Sequence, residues 1–547
     1  SMVSATDGTF LSCMSRSTPM MRTSSSAIFS GSSGTRDNRI RRSRSGEGKS
    51  MCRNRHRRLS ASDSSRVALE VSRTNGLRVA VMVPNLPAFP VSLLGIMRAG
   101  AAQVNVNPLY TARELKHQLT DAGCQTIVIY AGSTTTLADI LPETPIKNVV
   151  VVNNDCCIDL GIAGRPVDSR LGDAVTLTDA LNAGMQLSPR RIELTGADLL
   201  FLQYTGGTTG LSKGAALSHQ NLLSVTRQIR QVLLTHLESN EQVIVTAIPL
   251  YHIFALAVNL ILYFEIGATN WLVPNPRDMD NFVSTLKEAR PTAFSGVNTL
   301  FNGLLSHPRI SEVDWSRLQI TMGGGAPVMK GTAERWQALT GRTVHEGYGL
   351  SETSVGVSLV PAGVSYFTGT CGRPLSQTAV KLVDNDGEVV PPGASGEIVV
   401  KGPQVMLGYW NQPESTAAAF TPDGFFRTGD IGVFDENGFL KIVDRKKDMV
   451  LVSGFNVYPN EIEEWASRFP GLLECAAVGM PDKVTGEAIK LYAVRAPGAI
   501  VTEDELLAHC RRGLTAYKVP RAIVFIDALP KSAVGKVLRR ELRGFGA

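Results

Sequence analysis

The sequence predicts an α/β protein with a large N-terminal domain of β-sheets covered by helices and a small, mobile α/β C-terminal domain. From Arg78 onward, apolar runs that suit buried strands alternate with segments of helical periodicity, which is typical of sheets flanked by helices. The composition changes after residues 442–448, where shorter units follow, and 547 residues exceed the usual size of one domain. We therefore expect a large domain at 78–443 and a small one at 444–547, preceded by an atypical segment at 1–77.

The individual elements are predicted from short apolar runs and from apolar residues spaced three to four apart. In the large domain the sequence predicts strands at 79–83, 126–130, 149–153 and 199–202 and helices at 88–99, 221–234 and 253–264. In the small domain it predicts helices at 461–468 and 503–512 and strands at 476–478 and 489–494. The helix at 253–264 is too short to span a membrane and contains Asn259, so we expect it to be buried in the protein core.

The first 77 residues differ from the remainder in composition. They are rich in Ser and Arg and lack a sustained period of two or 3.6 residues, which predicts disorder. Three interpretations stay open: an organellar transit peptide, an arginine-rich segment that contacts nucleic acid, or an added segment without a role, such as the product of a shifted reading frame.

Charge and cysteine content limit the classes of partner. Residues 1–78 carry 15 Lys or Arg against 5 Asp or Glu, whereas the whole chain has a net charge of +6, so residues 79–547 carry −4. The body is mildly acidic and gives no argument for a nucleic-acid partner. The eight cysteines form no Cys-x-x-Cys pair, so neither a zinc site nor a disulfide framework is indicated, and we expect a reducing, cytoplasmic location.

The segment Tyr204–Gly214 has the composition of a phosphate-binding loop. Its glycines allow backbone N–H groups to face an anion, while Thr and Ser residues add hydroxyls and Lys213 adds a positive charge. The spacing excludes a Walker A motif, which needs Gly-x-x-x-x-Gly-Lys-Ser/Thr. An ordinary polar loop is the alternative on composition alone. Because the segment lies between a predicted strand and a predicted helix, the usual setting for phosphate capture, we expect it to bind a nucleotide.

Four further residues suit a nucleotide site. Tyr348 is able to stack on a base, and Glu352 is a carboxylate of the kind that holds Mg²⁺ beside phosphate oxygens. Asp430 suits a hydrogen bond to ribose hydroxyls, and Lys536 follows a glycine in a flexible segment. The ordinary alternatives are a helix-terminal acid for Glu352, a turn residue for Asp430 and a surface charge for Lys536. Their joint presence in one chain favours a single site.

The ordered motifs at 204–214, 347–353, 427–430, 444–448 and 530–536 resemble the AMP-forming acyl-CoA synthetases of the adenylate-forming superfamily. Within that family, the segments at 249–256, 296–301, 452–461 and 536–542 resemble bacterial long-chain fatty-acid CoA ligases. The resemblance runs from about Arg78 to the C-terminus. It implies that the carboxylate of a medium- to long-chain fatty acid attacks the α-phosphate of Mg-ATP to give acyl-AMP and pyrophosphate. Coenzyme A is then expected to attack the acyl carbonyl and release AMP.

The same resemblance assigns roles to residues of this chain. The ATP phosphates are expected at Thr205, Gly206, Gly207, Thr208, Thr209, Gly210 and Lys213, and Mg²⁺ at Thr205 and Glu352. The remaining nucleotide contacts are expected from Gly324, Gly325, Ala326, Gly347, Tyr348, Gly349, Ser351, Asp430 and Arg445. The acyl group is expected beside His252, Gly296 and Gly323, the two glycines lining a tunnel that a side chain would block. The expected catalytic residues are Lys536, Glu352, Thr205 and His252, with Asp444 as the hinge and Gly454 at the pantetheine channel after the small domain rotates.

The chain departs from the family pattern before Arg78. It reads Gly76-Leu77-Arg78 where the family usually has Gly-Asp-Arg, and the usual amphipathic helix is absent. An inactive homologue destabilised by exposed apolar surface is therefore one alternative. An adenylating enzyme that loads a carrier protein is another. Chain-length preference, homodimer formation and peripheral contact with the inner face of a membrane stay open.

Overall fold

Among the residues that the structure describes, four β-sheets form the framework. The computed structural model describes residues 76–154, 162–187, 192–205, 212–233, 241–532 and 535–545, together with the backbone of Met21–Thr23. Three sheets are built from residues up to Arg445, and the fourth is built from residues that follow it.

The first sheet carries the glycine-rich segment. Its strands lie in the order Gly408–Tyr409, Lys213–Ser218, Leu199–Thr205, Ala102–Asn105, Arg78–Met82, Thr126–Tyr130, Asn148–Val152 and Val175–Thr176. From Leu199–Thr205 to Val175–Thr176 the neighbours pair in parallel, as expected where helices connect the strands. The other two strands pair antiparallel and form the edge at which the glycine-rich segment lies.

The second sheet brings several predicted site residues to one edge. Its strands lie in the order Met21–Thr23, Thr269–Leu272, Val243–Thr246, Ala293–Gly296, Ile320–Gly323, Val344–Tyr348, Ser358–Leu359 and Arg373–Pro374. The first six pair in parallel and the last two antiparallel. Gly296, Gly323 and Tyr348 each end a strand. Because carboxyl ends of parallel strands meet at one edge, these three residues lie near one another.

Helices pack on the sheets. The α-helices span Ala88–Arg98, Ala112–Ala122, Thr134–Ala138, Leu177–Met185, His219–Leu233, Tyr263–Glu265, Met279–Ala289, Asn298–Leu305, Lys330–Thr340, Pro413–Ala419, Pro459–Ala466, Glu503–Gly513 and Arg539–Arg543. The apolar segment predicted as a buried helix forms a π-helix at Ala255–Leu262 in which every residue is buried. Within the described ranges, no helix has both the length and the apolar character needed to cross a bilayer.

Two smaller sheets complete the fold. The third is antiparallel, with strands in the order Ala379–Val383, Gly396–Lys401, Phe426–Phe434 and Leu440–Arg445. The fourth runs Phe455–Val457, Val450–Val452, Gly486–Arg495 and Leu472–Asp482, with Ala522–Phe525 also beside Gly486–Arg495. Two helices, Pro459–Ala466 and Glu503–Gly513, pack on the fourth sheet through Ile462 and Leu506 and give it a core of its own.

The predicted fold class is confirmed, with one local correction. The glycine-rich segment does not lead directly into a helix, because the strand Lys213–Ser218 intervenes before the helix His219–Leu233. The sequence Lys-Gly-Ala-Ala-Leu-Ser has low strand propensity, and pairing on both sides with neighbouring strands overrides it. Within the atypical N-terminal segment, Met21–Thr23 pairs with Thr269–Leu272; the remaining disorder prediction at 1–75 lies outside the described residues.

Candidate active site

The two antiparallel strands that flank the glycine-rich segment are contacted by one helix near the ends of that segment. Thr205 pairs with Lys213 across these strands. The Tyr204 hydroxyl donates to Asp121, and His117 Nε2 lies 2.9 Å from the carbonyl oxygen of Ser212. Both partners lie on the helix Ala112–Ala122, which begins with a capping box. The ends of the loop are therefore fixed, whereas Gly206, Gly207, Thr208, Thr209 and Gly210 lie outside the described residues.

Lys213 lies against the segment that forms the sheet edge. Its Nζ donates to Ser415 Oγ at 3.0 Å and lies 5.2 Å from the centroid of the Tyr409 ring. The ammonium is thus half-buried but retains polar contacts. Lys213 is the first residue of the strand Lys213–Ser218, which follows the glycine-rich segment.

Glu352 lies in the short turn Ser351–Thr353, which packs against both strands that flank the glycine-rich segment. Its side chain is buried, and the Tyr409 hydroxyl donates to Oε1 at 3.0 Å. Burial raises the pKa of Glu352, while the hydrogen bond from Tyr409 opposes the shift. Burial also raises the pKa of Tyr409, so that its hydroxyl keeps the proton it donates.

The Glu352 carboxylate fits an ion that takes most of its ligands from a substrate. Among the described residues, no three His, Cys, Asp or Glu side chains cluster closely enough to hold a metal by themselves. Mg²⁺ is usually bound by one or two protein oxygens together with phosphate oxygens and water. Glu352 and Thr205 would hold the ion in this arrangement, and it would shield charge on the phosphates.

A second cluster joins Tyr348, Asp430 and Arg445. The Tyr348 hydroxyl donates to Asp430 Oδ2 at 2.6 Å, and Arg445 Nε lies 3.6 Å from Oδ1. Asp430 and Arg445 are cross-strand partners in the third sheet, which explains their proximity. Burial raises the pKa of Tyr348. Three residues that the resemblance assigns to the nucleotide are therefore in direct contact.

Several glycines of the predicted nucleotide site occupy places where a side chain lacks room or strains the backbone. A Cβ at Gly349 would lie 1.9 Å from the carbonyl oxygen of Val355. Gly325 has φ +75° in an exposed turn that continues into Ala326, and Gly324 N donates to Gly296 O at 3.4 Å. Gly347 pairs with Leu359. The turns after the second sheet can therefore approach a ligand with backbone groups.

Gly296 and Gly323 have a packing role. A Cβ at Gly296 would lie 2.9 Å from the Phe301 ring, and one at Gly323 would lie 2.7 Å from Val328 and 2.8 Å from Val344. The space beside each glycine is occupied by core side chains. Their predicted place along an acyl tunnel stays a prediction, since only their backbone atoms are free to line it.

We expect Gly323→Ala to destabilise the protein by about 1–3 kcal/mol, because the added methyl group overpacks the core. Chemical unfolding of both proteins measures this change in the free energy of unfolding. Activity assayed with short and long fatty acids then separates the two roles. Equal losses at all lengths would follow from core strain, whereas a loss confined to long chains with unchanged stability would contradict the packing argument.

Lys536 lies between the fourth sheet and the cluster of Tyr348, Asp430 and Arg445. The preceding Gly535 approaches Thr299, because a Cβ there would lie 2.4 Å from Thr299 Oγ1. Burial lowers the pKa of Lys536 to about 7, with Arg445 adding to the shift and Asp430 opposing it. Burial and the charge of Lys536 together lower the pKa of His252 to about 4. Lys536 therefore lies within electrostatic reach of Asp430, Arg445 and His252.

A pKa of about 7 predicts a pH dependence for any step that needs the Lys536 ammonium. In the free enzyme the protonated form of Lys536 is lost as pH rises through about 7. The kcat/KM for pyrophosphate release that depends on added fatty acid should therefore fall above that pH. Bound phosphates favour the charged form, so the decline in kcat should lie at higher pH. A series of rate measurements at different pH values without coenzyme A measures the decline of kcat/KM and that of kcat. A kcat/KM that stays level into the alkaline range would contradict this assignment.

Asp444 is fully buried at the end of the third sheet, although charge alone favours an exposed loop there. Its Oδ1 accepts from Arg445 N at 2.7 Å and its Oδ2 from Asn460 N at 2.9 Å. Burial raises the pKa of Asp444. The predicted hinge thus links the third sheet to the first helix of the small domain.

Gly454 lies apart from these clusters. It is exposed in the turn between Val450–Val452 and Phe455–Val457, with φ +84° and open space beside it. The structure therefore presents Lys536 at the site while the predicted pantetheine residue faces solvent.

Sequence reasoning missed Tyr409, Ser415 and His117. Their contacts depend on sheet pairing and helix packing between distant parts of the chain. The run Gly408-Tyr409-Trp410, shortly before Pro413 at a helix start, is the signal that could have drawn attention to Tyr409.

Comparison with known proteins assigns the family. The AMP-binding enzyme model matches residues 67–410, and the AMP-binding enzyme C-terminal domain model matches residues 461–536. The chain belongs to the AMP-binding enzyme family. The first match begins at residue 67, somewhat before the resemblance noted from Arg78.

Relatives of this AMP-binding enzyme include curated long-chain-fatty-acid–CoA ligases. It is 48% identical over 480 residues to the protein of Escherichia coli O6:H1, covering 86% of this chain and 85% of the relative. It is 44% identical to the Haemophilus influenzae ligase, covering 87% and 86%. The solved structure of ATP-bound MatB from Rhodopseudomonas palustris is 30% identical with a TM-score of 0.76, covering 88% and 91%.

Proposed function

We propose that this AMP-binding enzyme is a long-chain fatty-acid–CoA ligase that uses ATP, Mg²⁺ and coenzyme A. The observation that carries the proposal is the 48% identity to a long-chain-fatty-acid–CoA ligase over 480 residues. In the first step a fatty carboxylate oxygen attacks the α-phosphorus of ATP, and pyrophosphate leaves. In the second, the sulfur of coenzyme A attacks the acyl carbonyl, and AMP leaves with the bonding electron pair of the mixed anhydride.

The first step needs positioned cations more than a protein nucleophile. Carboxylate and phosphate oxygens repel one another, so cationic groups lower the barrier by binding the charge that develops between them. Lys536 supplies an ammonium for this purpose and Lys213 a second one on the pyrophosphate side. The Ser351 hydroxyl donates to the α-phosphate, while Gly324, Gly325 and Ala326 hold the adenine beside Tyr348.

Asp430 and Arg445 orient the ribose in this proposal. Their cross-strand pairing and the hydrogen bond from Tyr348 fix the carboxylate before the nucleotide arrives. Preorganised groups of this kind avoid an ordering cost during the reaction. In this proposal His252 borders the acyl carboxylate. Because its pKa is about 4, it stays neutral near pH 7 and adds no fixed charge there.

The second step requires Lys536 to leave and the pantetheine arm to enter. We propose a rotation about Asp444 that exchanges Lys536 for Gly454, dividing the chain into the large domain at 78–443 and the small one at 444–547. The buried placement of Asp444 and the exposed turn at Gly454 support this division. Transient contact with a membrane surface, where fatty acids partition, and a homodimer are further parts of the proposal.

A substrate panel tests the proposed specificity. The purified protein is assayed for acyl-CoA formation with saturated fatty acids of increasing length and with an aromatic acid. We expect kcat/KM to rise with chain length into the long-chain range. Preference for the aromatic acid would contradict the substrate class. Adenylate formation without transfer to coenzyme A, but with transfer to a phosphopantetheinylated carrier protein, would favour the carrier-loading alternative.

A further inference from the structure

A single segment contacts both the metal candidate and the phosphate-binding lysine. We call residues 404–416 the strap. Met406 N donates to Glu352 O at 2.8 Å, and Leu407 N and Trp410 N donate to Ala216 O and Gly214 O at 2.9 and 2.8 Å. The strap is therefore bound through its backbone to the Glu352 turn and to the strand that carries Lys213.

The local sequence explains why the strap holds this shape. Pro413 begins the helix Pro413–Ala419, and Thr416 in that helix turns back to accept from Tyr409 N at 2.9 Å. A Cβ at Gly408 would lie 2.7 Å from the Thr416 methyl group, so glycine is needed for the close approach. Tyr409 is consequently held in place from its own backbone outward.

Tyr409 contacts the two functional groups through different parts of its side chain. Its hydroxyl donates to Glu352 Oε1 at 3.0 Å, and its ring lies 5.2 Å from Lys213 Nζ. The first contact orients a carboxylate, and the second attracts a cation through the ring face. Lys213 has an additional partner in Ser415, also on the strap, at 3.0 Å.

We infer that Tyr409 is a positioning residue that fixes Glu352 and Lys213 relative to each other on the triphosphate. The inference rests on the proposed roles of Glu352 toward Mg²⁺ and Lys213 toward phosphate. Both groups would act on the same ligand, with Glu352 held by the hydroxyl of Tyr409 and Lys213 by its ring face. A shift of about 1 Å in such a group costs on the order of 10²-fold in rate, so one rigid side chain that orients both is effective.

The two contacts can be separated by substitution. Tyr409→Phe keeps the ring over Lys213 and removes only the hydroxyl, whereas Tyr409→Leu removes both contacts. Ser415→Ala removes the other partner of Lys213 and leaves Glu352 untouched. Tyr366→Phe, in an exposed tyrosine, is the matched control for loss of a phenolic hydroxyl.

The experiment is equilibrium ATP binding to the full chain by calorimetry, without fatty acid, in excess Mg²⁺ and in excess chelator. The quantity compared is the Kd in chelator divided by the Kd in Mg²⁺, which is large when Mg²⁺ strengthens ATP binding. For Tyr409→Phe we expect unchanged binding in chelator and binding about tenfold weaker in Mg²⁺, the effect of a hydrogen bond to a charged group. Tyr409→Leu should weaken binding in both conditions, and Ser415→Ala should weaken both equally.

The outcomes distinguish the inference from the function on which it rests. Glu352→Gln should reduce the ratio at least as much as Tyr409→Phe. A normal ratio in Tyr409→Phe with a reduced one in Glu352→Gln would overturn the inference alone. A normal ratio in both would overturn the metal role of Glu352 as well. Circular dichroism and thermal unfolding identify a variant that fails to fold. If Tyr409→Leu fails to fold, the comparison of Tyr409→Phe with Glu352→Gln decides.

Discussion

Lys536→Ala should abolish acyl-adenylate formation while leaving thioester formation from supplied acyl-AMP nearly intact. The lysine interacts electrostatically with Asp430, Arg445 and His252, and we propose that the attacking carboxylate and the α-phosphate meet there. Removing one group that stabilises developing charge costs on the order of 10²–10³-fold in rate. Pyrophosphate release that depends on added fatty acid, measured without coenzyme A, reports the first step. Acyl-CoA formed from synthetic acyl-AMP reports the second.

Lys531→Ala is the matched control, because this lysine lies on the same segment and pairs with Glu474, its Nζ 2.6 Å from Oε1. We expect it to retain adenylation. Equal losses in both half-reactions for Lys536→Ala would contradict a role confined to adenylation and would indicate a general disturbance of the small domain.

Asp430→Ala should impair both half-reactions. The carboxylate is buried, accepts from Tyr348 and faces Arg445, and acyl-AMP retains the ribose that we propose it binds. Loss of two hydrogen bonds to a charged group predicts a reduction in kcat/KM for ATP on the order of 10²-fold or more. The same assays with varied ATP and varied acyl-AMP measure this effect.

Glu436→Ala serves as the control for Asp430, since it removes an exposed carboxylate from the turn at the far end of the same strand. Its kinetics should match the parent enzyme. A large loss for Asp430→Ala in adenylation with normal use of acyl-AMP would argue against ribose binding and for a role limited to the first step.

The elements that sequence predicted well are those whose local pattern agrees with their tertiary setting. The strand Thr126–Tyr130 is predicted with its observed bounds because an apolar run with β-branched residues is buried on both faces. The strand Lys213–Ser218 was missed because its small residues depend on two neighbouring strands for their conformation. Local propensity is a weak guide where pairing decides.

The candidate site divides in the same way. Glu352, Asp430 and Lys536 are predicted as site residues because they lie in ordered motifs that resemble a known family, and their roles stay predictions. The contacts of Tyr409 with Glu352 and Lys213 were missed because only the fold brings these residues together. The packing around Gly323 likewise depends on Val328 and Val344, and one-dimensional spacing contains no such information.

We propose that the protein activates a fatty acid through acyl-AMP before transfer to coenzyme A. The most direct measurement is a single turnover with enzyme in excess over ATP labelled in the α-phosphate, a long-chain fatty acid and Mg²⁺. Without coenzyme A, we expect stoichiometric pyrophosphate and enzyme-bound labelled acyl-AMP, which added coenzyme A converts to acyl-CoA and labelled AMP. Formation of ADP and phosphate, or no pyrophosphate with any fatty acid, would contradict the account.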